Sequence, residues 1–145
     1  MRVFLGGTCN DSTWREELMP MLDDANIDYF NPVVDDWDDA AYQKELEERE
    51  KCDVCLYVIT PQMTGVYSIA EVVDDSNKRS EKAILCILNK AKGDEFNKAQ
   101  GKSLESVAKM VEGNGSKAFS DLKGLMIHLT EYDAKLANFP LFKSL

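Results

Sequence analysis

Short apolar runs alternate along this chain with longer segments in which apolar residues return every three or four positions. Val3, Phe4 and Leu5 read as a strand that Gly6-Gly7 ends in a turn. After polar residues 8–12, the spacing Thr13-x-x-Glu16 reads as a capping box opening a helix. Trp14, Leu18, Met21, Leu22 and Ala25 gather on one face of that helix, and Pro20 is expected to kink it. Residues 27–30 form a second short strand closed by Asn31-Pro32, because proline pushes its predecessor into extended geometry.

A polar loop over 33–37 leads to Asp38, which can cap a second, mostly solvated helix reaching about Lys51. Asp39 in its first turn and Arg49 and Lys51 in its last complement the macrodipole. Residues 54–59 are continuously apolar, with β-branched and aromatic members, as in a central strand buried on both faces. A loop over 60–64 precedes a third helix carrying Ile69, Val72, Val73 and Ser76, and residues 83–88 form another buried strand. The charged stretch 89–102 shows no steady period and reads as an exposed insertion. A short helix with Leu104, Val107, Ala108 and Val111, an edge strand at Ala118-Phe119 and a last helix striped by Leu122, Leu125, Met126, Leu129 and Leu136 complete the series. The apolar tail Phe139-Pro140-Leu141-Phe142 is expected to dock on its own domain or on a neighbour.

Strands alternating with helices imply right-handed crossovers and a parallel sheet between helical layers, a doubly wound α/β fold. Ligands then bind at the carboxyl ends of the strands, which selects the loops 6–12, 31–38 and 60–71.

A length of 145 residues suits one domain, 1–145, able to bury about two thirds of its unfolded surface. No run approaches the ~18 apolar residues of a membrane span, and the first residues offer no signal-peptide core, so an intracellular protein is expected. The formal charge of -9, without a basic cluster, argues against nucleic acid as a partner. Of Cys9, Cys52, Cys55 and Cys86, three lie in or beside apolar strands, which favours reduced, packed thiols in a cytosol. Cys52-x-x-Cys55 straddles a strand start, where an offset of three puts side chains on opposite faces, so neither redox nor zinc chemistry is expected of it. The one histidine, His128, has no histidine partner for a metal, and no metal or cofactor is expected. Glu45, Glu47, Glu48 and Glu50 read as a solvated face.

Three loops carry candidate chemistry. Gly6, Gly7 and Thr8 allow close approach of a ligand to the backbone and aim it at a helix N-terminus; a tight turn without a ligand reads equally well. There is no GxGxxG and no GxxxxGK[ST], and Arg15 is the only nearby cation, which favours an uncharged substrate. Asp35, Asp36 and Trp37 combine two carboxylates with an indole, a set able to hydrogen-bond a base or sugar and to stack on a flat ring; Trp37 could equally cap the core edge. Gly65, Tyr67, Ser68 and Glu71 lie at the start of the third helix. Its N-terminus would favour an ionised Glu71, the state that covalent catalysis at a sugar requires, whereas a solvated helix glutamate is the plain alternative.

Phe4-Leu5-Gly6-Gly7-Thr8, Trp14-Arg15-x-x-Leu18, Asn31-Pro32, residues 52–59 (CDVCLYVI) and residues 65–71 (GVYSIAE) resemble, in this order, the nucleoside 2-deoxyribosyltransferase family, especially its short, divergent members. The resemblance implies a flavodoxin-like fold, transfer of a 2-deoxyribosyl group between bases, and a nucleophile at Glu71. It also implies an Asp six residues before the nucleophile, where this chain has Gly65, and a leaving-base carboxylate at the spacing that Glu45 holds from Asp53. Asp53 opens its strand about 20 Å from the carboxyl end and is read as structural, leaving Asp36 or Glu45 as general acid. Hydrolysis of a nucleoside, nucleotide or NAD-like N-glycoside is the rival within enzymes. The missing carboxylate at Gly65 motivates another, a non-catalytic nucleotide-binding or interaction module. The tail and the family's habit of completing sites across subunits lead us to expect a homo-oligomer that takes a small nucleoside or nucleobase.

Overall fold

A computed structural model describes residues 1–138. Its element order is β1 (Arg2–Gly7), α1 (Trp14–Asp24), β2 (Asp28–Phe30), α2 (Asp39–Lys51), β3 (Val54–Ile59), α3 (Tyr67–Lys78), β4 (Ala83–Ile87), β5 (Lys90–Ala91), β6 (Asp94–Glu95), α4 (Lys98–Gly113), β7 (Lys117–Phe119) and α5 (Leu122–Asn138). Five strands form one parallel sheet in the order β2-β1-β3-β4-β7, the α/β flavodoxin-like arrangement. The chain leaves β1 toward β2 and then returns to its other side as β3, so the winding reverses between β1 and β3. That reversal opens a crevice at the carboxyl ends of these two strands.

The pleat sorts the sheet's side chains between two cores. Val3, Leu5, Val54, Leu56 and Val58 pack with Trp14, Leu18 and Leu22 of α1 and Leu125 and Leu129 of α5. Phe4, Cys55, Tyr57 and Ile59 pack on the other face with Val72 of α3 and Leu104 and Val111 of α4. All six residues of β3 are buried, as its unbroken apolar run requires when helices cover both faces. β7 forms the edge expected at Ala118-Phe119, and Asp38 caps α2 by accepting from the Ala41 amide at 2.8 Å. Asp53 is structural as read, its Oδ2 accepting from the Arg2 amide at 2.8 Å.

Several local expectations are corrected. Gly6 and Gly7 belong to the strand, paired with Tyr57 and Val58, and do not form a turn. Gly7 has φ +121°, and a Cβ there would lie 2.1 Å from the Val58 carbonyl oxygen, so only glycine fits. Thr13 precedes α1 without a side-chain capping bond, and the loop is tied instead by Trp14 Nε1 and Arg15 donating to the Thr8 carbonyl, each at 2.8 Å. The stretch 89–102 is no plain insertion: β5 and β6 pair as a small hairpin, and a capping box of Asn97 with Gln100 starts α4 at Lys98. The two-residue strands are too short to show a period. Within α2, Glu48 and Arg49 are buried, because Arg2 on β1 and two aspartates on α3 meet them with opposite charge.

Cys52 and Cys55 lie in the same core layer, since Cys52 precedes the strand and escapes its alternation. Burial pushes both thiols up to about 12, which leaves them unreactive at neutral pH. His128 packs between the rings of Phe119 and Tyr132, at 5.3 and 6.1 Å. Among the described residues, no helix is long and apolar enough to cross a membrane. The apolar tail lies outside the described residues.

Candidate functional site

The crevice at the β1/β3 switch holds a cleft of about 370 Å³, within the usual size range of small-molecule sites. Three elements build it. β1 ends in it through Gly6, Gly7 and Thr8; α2 and the loop before it supply Trp37 and Glu45; α3 and its approach supply Gly65, Tyr67, Ser68 and Glu71. Nine of the sequence-derived candidates therefore share one cavity. Asn31, Asp35 and Asp36 do not line it. The Asn31 Oδ1 accepts from the Val33 amide at 3.1 Å, holding a local turn, and the side chains of Asp35 and Asp36 stand in solvent beyond the mouth.

The β1 wall is rigid. Thr8 receives the Thr60 amide on its hydroxyl at 3.0 Å and donates its own amide to the Val58 carbonyl at 2.8 Å, locking the two strand ends together. Arg15 is buried and spends its guanidinium on carbonyls: Leu5 at 3.1 and 2.9 Å, Thr8 at 2.8 Å and Gly7 at 3.4 Å. Burial lowers its pKa, and its plane stacks on Trp14 at 4.3 Å. The cation noted beside this loop is thus committed to the backbone and holds the glycine strand in shape.

The opposite wall is acidic. Trp37 Nε1 donates to Glu45 Oε1 at 3.3 Å, and the indole meets the Tyr42 ring edge-on at 5.5 Å. Burial raises the Glu45 pKa, against the stabilising influence of the Trp37 bond, Arg49 and Arg15. Glu71 sits deeper, with its side chain 13% exposed, and Arg49 Nη1 lies 3.6 Å from its Oε2. Burial lifts this carboxyl from 4.5 to about 7; Arg49 pulls it back, while Glu45 and Asp75 push it further up.

The expectation that the helix N-terminus keeps Glu71 ionised is therefore corrected. Glu71 is the fifth residue of α3, beyond the turn where free amides act, so desolvation outweighs the dipole.

Arg49 is the functional neighbour that sequence reasoning missed, because the macrodipole already explained its place at the end of α2. A signal existed: Glu71 and Asp75 stand four apart on a helix whose other inward residues, Ile69, Val72, Val73 and Ser76, are uncharged, and such a buried acidic pair demands a cation from elsewhere. Cys9, Asn10 and Met63 also line the cleft, and Asn10 Nδ2 donates to the Thr64 hydroxyl at 3.2 Å across one rim. A Cβ added at Gly65 would meet nothing within 4 Å, so the position where the resemblance implies an aspartate opens onto empty space. Among the described residues, no three His, Cys, Asp or Glu side chains gather as a metal site would need.

The arrangement offers one desolvated carboxyl beside a cation, a second carboxyl held by an indole, and a glycine-floored pocket between them. No curated protein matches the chain. Residues 1–90 match the family model described as nucleoside 2-deoxyribosyltransferase like; that span contains β1 through β4 and every residue lining the cleft, and the chain belongs to this family.

Proposed function

We propose that this protein transfers a 2-deoxyribosyl group between nitrogenous bases through a covalent ester on Glu71. The observation that carries the reading is the Glu71 carboxyl itself, desolvated in the switch-point cleft and paired with Arg49. A Glu71 oxygen attacks C1′ of the bound deoxynucleoside. The glycosidic C–N bond breaks, its electron pair leaves with the base, and a proton from Glu45 neutralises the departing nitrogen. An incoming base then gives its proton to Glu45, attacks C1′ and releases Glu71 as carboxylate. Two inversions give net retention.

Glu45 suits the acid role better than Asp36: it lines the cleft and burial lets it hold a proton to higher pH, whereas Asp36 stands outside. The two cleft carboxyls feel each other's charge and titrate as a coupled pair. Activity on this reading needs the pair to hold one proton, so it rises with pH as the pair loses its first proton and falls again as it loses the second.

Incubation with deoxyinosine and free adenine tests the reading. Deoxyadenosine forms with the wild type and not with Glu71→Gln, and mass spectrometry after acid quench finds one deoxyribosyl group on Glu71. Hydrolysis is a second reading, favoured by the open space at Gly65, where no carboxylate grips the sugar and water has room. It yields hypoxanthine without deoxyadenosine. If neither product appears from any deoxynucleoside, the catalytic reading fails.

A further inference from the structure

We propose that Arg49 is a positioning residue for Glu71, held in place by Asp75, so that the guanidinium fixes the aim of the cleft carboxylate and favours its charged form. The inference rests on Glu71 being the nucleophile of the reading above. Its geometry comes from two helices. Glu71 and Asp75 lie one turn apart on α3 and face Arg49 of α2, whose side chain is 8% exposed. Arg49 gives Nε and Nη2 to the two oxygens of Asp75, at 3.3 and 2.8 Å, a two-pronged grip that sets the plane of the guanidinium. Its remaining edge, Nη1, then points at Glu71.

Asp75 is itself immobile. It is fully buried, receives the Tyr57 hydroxyl on Oδ2 and Arg79 Nη1 on Oδ1 at 2.7 Å, and so has partners on both oxygens. Asp74 also reaches Nη2, at 3.4 Å, but it is more exposed and already pairs with Lys78. A guanidinium needed only for packing would be satisfied by Asp75 and Asp74. The third edge turned toward a cleft carboxyl is what a positioning role adds.

The chemistry gives this edge a use. When Glu71 becomes an ester it loses its charge, and Asp75 still balances Arg49, so no buried cation is stranded. When the ester breaks, Arg49 stabilises the emerging carboxylate and makes it the better leaving group.

The charged and titratable groups around Glu71 are Arg49 and Glu45 from α2, Asp75 and Tyr67 from α3, and Arg15 across the cleft on α1. Two substitutions then act with opposite sign. Arg49→Gln removes the cation and raises the Glu71 pKa. Asp75→Asn removes a negative neighbour and leaves the Arg49 charge to Glu71 and the more exposed Asp74, which lowers it. Each displacement should reach about half a pH unit, or roughly threefold in proton affinity. Arg49→Lys keeps the charge but not the fork, so the acid limb stays near that of the wild type while kcat falls about tenfold.

The primary measurement is a pH titration of the Glu71 carboxyl carbon by NMR on protein labelled with carbon-13 glutamate, the signal being assigned by its loss in Glu71→Gln. The acid limb of kcat/KM for deoxyinosine and adenine is followed in parallel. Circular dichroism checks folding, and if Arg49→Gln does not fold, Asp75→Asn and Arg49→Lys carry the test. Opposite displacements support the inference. An unmoved carboxyl, or displacements in the same direction, overturn it. Opposite displacements in a protein that transfers nothing would leave the positioning intact and defeat the function; normal transfer with an unmoved carboxyl would do the reverse.

Discussion

Glu71→Gln should stabilise the protein while abolishing transfer, and the stabilisation should depend on pH. The carboxyl rises from 4.5 in the open chain to about 7 in the fold, with burial as the largest cause. Below pH 4.5 both states hold the proton and nothing is lost. Between 4.5 and 7 the unfolded chain ionises while the folded one keeps its proton, and above 7 the fold must bury the charge. A raised carboxyl therefore withdraws stability as pH rises through this window and then levels off. The ceiling is about 3 kcal/mol. Because the side chain is 13% exposed and solvent screens part of the charge, roughly half of this is expected.

Glutamine has the same shape and no charge to bury, and Asp75 still holds Arg49 at 2.8 Å, so the substitution strands no cation. The gain over wild type should grow from near zero at pH 4 to about 1–2 kcal/mol at pH 8, some 3–6 °C in Tm for a chain of this size. Urea unfolding followed by circular dichroism from pH 4 to 8.5 measures it. Acid destabilisation through Glu48, whose pKa Arg2 holds down to about 2, is common to both proteins and cancels. A difference that is flat with pH, or a variant less stable than wild type at pH 8, would refute the argument.

Gly65→Asp should fold with an unchanged Tm, because a Cβ there meets no atom within 4 Å; by supplying the carboxylate that the resemblance implies at this position it should raise kcat/KM for deoxynucleosides severalfold, and unchanged kinetics would show that the sugar is gripped elsewhere. Trp37→Ala removes an exposed indole that lines the cleft and the donor to Glu45, so KM for the base should rise roughly three- to tenfold, as the loss of an aromatic contact implies, with steady-state kinetics as the check. Gly7→Ala forces a side chain onto the Val58 carbonyl at a positive φ; it should cost several kcal/mol, and a melt within 2 °C of wild type (about 1 kcal/mol or less) would contradict the geometry.

Much of the scaffold was legible along the chain. The unbroken run of β3 announced a strand covered on both faces, Asp38 announced the start of α2, and the stripe of α3 announced which of its sides meets the sheet. These signals are local: a period of two or near 3.6, a capping side chain or a glycine is written in residues that are neighbours in sequence. The ordered motifs from Gly6 to Glu71 also pointed to the cleft, because a parallel sheet gathers the carboxyl ends of its strands on one side.

What the chain alone left undecided was charge and company. Asp35 and Asp36 read like Glu45 as acidic loop or helix residues, yet Glu45 alone enters the cleft, since it lies on an α2 face turned toward α3. Glu71 was expected to be ionised, and the fold raises its pKa instead. Arg49 looked like an end-of-helix complement and became the hub of Glu71, Asp74 and Asp75. Desolvation and ion pairing are set by atoms brought together across tens of residues of sequence, so only the packed structure could decide which carboxyls stay wet, which keep a proton and which cation answers them.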